Sequence, residues 1–75
     1  MPKLPRMSGK EALKVFLKLG FVEVRQRGSH VILKKQVPEG TVGCALPIHK
    51  ELAVGTLAGA LKQAKVSQEE FLANL

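Results

Sequence analysis

The residues best equipped for chemistry lie in the run Arg25-Gln26-Arg27-Gly28-Ser29-His30, where one imidazole stands among cations across a Gly-Ser pair. Histidine is the side chain whose ordinary titration falls nearest neutrality, so it can take and return a proton. Arginine and lysine hold phosphate oxygens by charge-assisted hydrogen bonds. Together these types suit phosphodiester chemistry, with Arg25, Arg27 and Lys34 gripping the phosphate, Ser29 beside them in the turn, and His30 moving the proton. The competing reading is a solvated sheet surface on which Glu23 and Lys34 make a weak cross-strand pair; the residue types alone leave both open. No Asp, Glu, Cys and His cluster at ligand spacing, so neither a metal nor another cofactor is expected.

These groups need a hairpin to hold them. A Gly-Ser pair between β-prone runs predicts a two-residue turn, with Arg27 opposite His30, Gln26 opposite Val31, Arg25 opposite Ile32 and Val24 opposite Leu33. That register sorts Val22, Val24, Val31 and Leu33 to a core face, and Glu23, Arg25, Arg27, His30, Ile32 and Lys34 to an open one. Residues 36–41 read as a loop, followed by a third strand, Val42 to Leu46, with Val42, Cys44 and Leu46 inward. Matching faces sets His30 opposite Pro47 and carries the second histidine, His49, toward the first, where it is counted with the RNA-contacting residues and could supply a second proton-transfer group.

Helices must cover the apolar face. Ser8-Gly9-Lys10-Glu11 has capping-box spacing, and Gly20 is placed to end a helix from Gly9 to Leu19. Its inward residues are Ala12, Leu13, Val15, Phe16 and Leu19; Lys10, Lys14 and Lys18 form a stripe opposite, either a solvated face or a set of phosphate contacts. A second helix, Ala53 to Ala64, turns Val54, Leu57, Ala58, Leu61 and Ala64 to the core. Ser67 and Glu70 cap a short third helix carrying Phe71, Leu72 and Leu75 inward. Met1 to Met7 has no periodic pattern and reads as an extended lead-in adding charge.

The 75 residues are expected to form one domain, residues 1–75, in which about 60% of the unfolded chain's surface is buried. Twelve Lys and Arg against six Asp and Glu leave a formal charge of +6, which favours a polyanionic partner, nucleic acid foremost. The lone Cys44 reads as a small buried hydrophobe rather than a nucleophile, and no apolar run is long enough for a membrane span or secretory signal; a reducing cytoplasm is the expected location. The order is α-β-β-β-α with a short extra C-terminal helix: an α+β fold, a three-stranded antiparallel sheet with helices on one face, as in double-stranded RNA-binding domains.

The chain also resembles a known family. Leu4-Pro5-Arg6-Met7-Ser8-Gly9-Lys10-Glu11, Leu19-Gly20-Phe21, Arg27-Gly28-Ser29-His30, His49-Lys50-Glu51-Leu52, Gly55-Thr56-Leu57 and Gln63-Ala64 stand in the order seen in the HicA toxin family, also called YcfA-like. Val54 and Lys65 depart from it, where the family often has proline and glycine. The resemblance implies a small ribonuclease on a double-stranded-RNA-binding-like fold, an mRNA interferase inhibited by a HicB-like antitoxin, with His30 as its catalytic histidine. A DNA-binding module is possible on charge alone, yet no helix-turn-helix or base-reading surface is evident, so neither DNA binding of its own nor membrane attachment is expected. A non-catalytic RNA-binding module of the same topology is the alternative, although Val54-Gly55-Thr56 lacks the lysine cluster such modules carry at the second helix's start.

Overall fold

The computed structural model describes residues 4–75 and runs α1 (Gly9–Lys18), β1 (Val22–Arg27), β2 (His30–Val37), β3 (Gly40–Pro47), α2 (Val54–Gln63) and α3 (Gln68–Ala73). The three strands form one antiparallel sheet in the order β1-β2-β3, so the α+β architecture expected from the pattern is the one observed. The charge expected from Lys3 in the lead-in lies outside the described residues.

Both capping signals work locally. The Glu11 amide donates to the Ser8 hydroxyl at 3.1 Å while the Ser8 amide donates to the Glu11 carboxylate at 3.0 Å, closing a reciprocal box at the start of α1. That amide, then the hydroxyl, holds the Glu11 carboxyl below its ordinary value. At α3 only one half forms, the Glu70 amide donating to Ser67 at 3.0 Å.

The two long helices end in the same way with different residues. Phe21 and Gly20 amides reach back to the carbonyls of Phe16 and Leu17, and Val66 and Lys65 amides to those of Leu61 and Lys62. Both are Schellman motifs, which place the residue after the cap in the left-handed region. Gly20 takes it at φ 97°; Lys65 takes it at φ 60° and bears the Cβ penalty that glycine avoids.

The core lies between the helices and one sheet face: Ala12, Val15 and Phe16 of α1, Val31 and Leu33 of β2, Cys44 and Leu46 of β3, Leu57, Ala60 and Leu61 of α2, and Phe71 of α3. Phe16 packs edge-on to Phe21 at 5.3 Å and against Phe71 at 5.8 Å.

Four expectations fail here, each for a tertiary reason. The hairpin register holds from Arg27–His30 to Arg25–Ile32, then slips at a bulge, so that Glu23 meets Leu33 and Val22 meets Lys34. Val22 and Val24 are consequently not core: they are 58% and 47% exposed, on an edge strand whose every residue is exposed. With no covered side chain to pin the pairing, the register is weakly held away from the turn. Second, residues 36–41 are not a loop; β2 and β3 pair out to Val37–Gly40, leaving only Pro38-Glu39 as the turn. Third, the lead-in is structural as well as charged, since Leu4 and Met7 are buried and Met7 bridges Leu52. An exposed ion pair, Arg6 to Glu51 at 2.8 Å, sits beside that bridge. Fourth, Val54 and Leu75 at element ends are exposed, while Ala60 takes a buried place that the helical pattern did not assign to it.

Candidate functional site

The outer sheet face, which no helix covers, presents His30, Lys34 and Gln36 from β2 and Thr41 and Ala45 from β3, all exposed. Its geometry is set at the Gly28-Ser29 turn. Gly28 has φ 59° and Ser29 does not share the left-handed region, the pattern of a type II′ turn, which matches the natural strand twist. The turn is tied further by the Gln26 side-chain amide, which donates to the Gly28 carbonyl at 3.0 Å. Arg27 is therefore held directly across from His30, and Arg25 across from Ile32 on the same face.

On the other side of β2, His30 pairs with Pro47. The chain then continues past the end of β3 under two backbone restraints: the Ile48 amide donates to the Ser29 carbonyl at 2.7 Å, and the Gly9 amide donates to the His49 carbonyl at 2.8 Å. These bring the His49 ring to 6.4 Å from the His30 ring, centroid to centroid, at an interplanar angle of 75°. Both residues are exposed, and among the described residues no hydrogen bond holds either ring.

Gly9 is what permits this approach. A Cβ there would collide with the Pro47 carbonyl oxygen and stand 2.6 Å from the Ile48 Cα. Sequence reasoning read Gly9 only as the first helical residue; no local signal marks a glycine chosen for its fit against a distant segment of the chain.

The cations do not form one cluster. Arg27 adjoins His30, and Arg25 follows two residues along β1, roughly 7 Å further; Lys34 is four residues along β2, roughly 13 Å from His30. Lys10 lines a small hollow of about 170 Å3 with Ser8, Ile48, His49 and Lys50. Lys14 and Lys18 continue along α1 by one and two turns, about 6 and 12 Å beyond Lys10, on the helix layer rather than the outer sheet face. Lys35 points inward instead, with its ammonium 5.7 Å from the centre of the Phe21 ring.

Elsewhere the surface offers less chemistry. A cleft of about 420 Å3 between Phe21, Val37, Val42 and Val66 sits at the opposite end of β2 from the histidines, and neither a histidine nor a cysteine lines it. Cys44 is buried, and burial pushes its thiol up to about 11, so it stays protonated at neutral pH as expected of a packing residue. Among the described residues no three His, Cys, Asp or Glu side chains come together as a metal site, and no helix is long and apolar enough to cross a membrane.

A family model described as the HicA toxin of bacterial toxin-antitoxin matches residues 9–66, well over half of the chain. The chain belongs to the HicA toxin family. No curated protein and no solved structure gives a significant match. Membership makes this HicA chain the toxin half of a toxin-antitoxin system, paired with an antitoxin. The matched span begins at Gly9, takes in both histidines and the whole sheet, and ends just after Lys65, leaving α3 outside it.

Proposed function

We propose that this HicA toxin is a metal-independent endoribonuclease that cleaves mRNA in the cytoplasm, with His30 as its catalytic general acid/base. The observation that carries the reading is an exposed imidazole that, among the described residues, has no hydrogen-bond partner and stands in register beside Arg27 on a sheet face that no helix covers. His30 takes the proton of a ribose 2′-hydroxyl, the freed oxygen attacks the adjacent phosphorus, the bond from phosphorus to the 5′-oxygen breaks with a proton delivered to that oxygen, and Arg25 and Arg27 stabilise the charge gathering on the phosphoryl oxygens. Lys10, Lys14, Lys18 and Lys34 contact phosphates further along the strand, with Ser29 and His49 close to the reacting group.

The antitoxin is a HicB-like protein that covers this surface. Acidic or hydrogen-bonding groups placed against Arg25, Arg27 and His30 occupy the phosphate position, and opposite charge speeds the encounter.

The deciding experiment incubates purified protein with single-stranded RNA in EDTA. Cleavage is expected, and His30→Ala should lower its rate by about 10²- to 10⁴-fold while leaving fold and RNA affinity intact. RNA binding without cleavage by the wild-type protein would favour the non-catalytic RNA-binding module instead. For the partner, amide exchange in the complex should protect β1, the turn and the start of β2.

A further inference from the structure

We propose that His49 is a second catalytic residue, the general acid that protonates the leaving 5′-oxygen while His30 removes the 2′-hydroxyl proton. The inference rests on the ribonuclease reading above and divides between two groups a task that reading assigns to His30.

Three observations point to it. The rings are 6.4 Å apart, too far for a direct hydrogen bond, yet close enough for each to reach a different oxygen of one phosphate through a hydrogen bond of roughly 2.6–3.2 Å. The placement is built rather than incidental: the residue after β3 is pinned to the Ser29 carbonyl of the hairpin turn, and His49 itself is pinned to the start of α1. The approach also consumes a buried glycine, since any side chain at residue 9 would displace the Pro47–His49 backbone. These contacts are all with backbone, so they fix where the side chain of residue 49 starts, and the histidine there is aimed from a set position. In-line displacement at phosphorus puts the attacking and leaving oxygens on opposite sides, so one imidazole cannot serve both at once without moving, whereas two flanking imidazoles can.

The step balances without a co-reactant. The 2′-hydroxyl proton passes to His30, the O2′–P bond forms, the P–O5′ bond breaks, and the His49 proton passes to O5′. The products are a 2′,3′-cyclic phosphate and a 5′-hydroxyl end; the two imidazoles return to their starting states by exchanging protons with solvent.

The test uses two matched RNA substrates, one natural and one with sulfur in place of the bridging 5′-oxygen at the cleaved position. A thiolate leaves without protonation, so it needs no general acid. His49→Ala and His49→Gln should cut the natural RNA at least about a hundredfold more slowly than wild type, yet cut the sulfur substrate at close to the wild-type rate. His30→Ala should be slow on both. Both His49 variants keep the backbone carbonyl that accepts from Gly9, so the fold is retained, and circular dichroism with thermal unfolding checks this. If His49 only positioned RNA, its variants would be slow on both substrates, and that result overturns the proposal while leaving His30 in place. Rescue of His30→Ala by sulfur instead would reverse the assignment and also overturn it. A wild-type protein inert on both substrates would remove the ribonuclease reading and this proposal together.

Discussion

The two outer strands, β1 and β3, flank the same central strand and both read as alternating sequence, but they meet different fates. Against β3 pack both α1 and α2, and its Cys44, Leu46 and Pro47 are buried. Against β1 packs little besides β2, and all six of its residues are exposed. The difference is face and cover, not composition: Val22 and Val24 are as apolar as Val42, yet the bulge pairs Val22 with Lys34 of the outer face, where among the described residues no helix packs. A covered strand holds the fold, and a bare one is free to carry Arg25 and Arg27 outward. The bulge belongs to the same contrast, because it falls in the strand whose register costs least to break.

Stability measurements should separate the strands most sharply. Leu46→Ala, which empties a fully buried place on β3, should cost about 2–5 kcal/mol by urea or thermal unfolding, whereas Val24→Ala on β1 should stay within about 0.5 kcal/mol. A large loss at Val24 would mean that β1 is covered in solution, for instance by a second molecule, and would break the comparison.

Charge on the bare strand should read out in binding instead. Arg25→Gln with Arg27→Gln should leave the unfolding midpoint nearly unchanged but weaken RNA affinity. The slope of log affinity against log salt should fall by about 0.7 for every single-strand phosphate that the variant no longer neutralises. Replacing Lys10, Lys14 and Lys18 with Gln sharpens the test: a comparable drop makes the helix stripe part of the path, and an unchanged slope reduces it to a solvated face.

The covered side has its own weak points. Gly9→Ala forces a Cβ into the backbone that extends β3 and should cost about 1–3 kcal/mol as overpacking, with RNA cleavage reduced more than stability alone explains because His49 is displaced. The smallest effect is expected at the end of α2. Lys65→Gly relieves the left-handed strain of that Schellman motif and should raise stability by about 0.5–1 kcal/mol, the remainder being offset by the greater freedom of glycine in the unfolded chain. Equal stability of the two proteins would make the left-handed cost at Lys65 no larger than that offset.

Much of the fold is legible in the sequence alone. Ser8 and Glu11, Gly20, Gly28-Ser29 and Ser67 act on neighbours within a few residues, and local hydrogen bonds and φ preferences decide those positions without help from the rest of the chain. The pairing of β2 with β3 was also readable, because alternating Val31 and Leu33 must share a face with Leu46 and Cys44, and a shift of one residue would turn one of these two pairs into solvent. The same face-matching carried His49 toward His30. Its ring position was not readable, since it depends on Gly9 and Ser29 meeting the Pro47–His49 segment across the fold.

The sequence by itself thus determined the element types, the helix ends, the Gly28-Ser29 turn and the inward faces of β2 and β3, all of which follow from short-range backbone chemistry and period-two or helical burial. Only the tertiary structure decided that β1 is bare and bulged, that Leu4 and Met7 join the core, that Lys65 adopts a left-handed backbone, and that His30 and His49 stand ring to ring. Burial is a property of what lies over a side chain, and approach is a property of which distant backbones can touch; neither is written in the residue it affects.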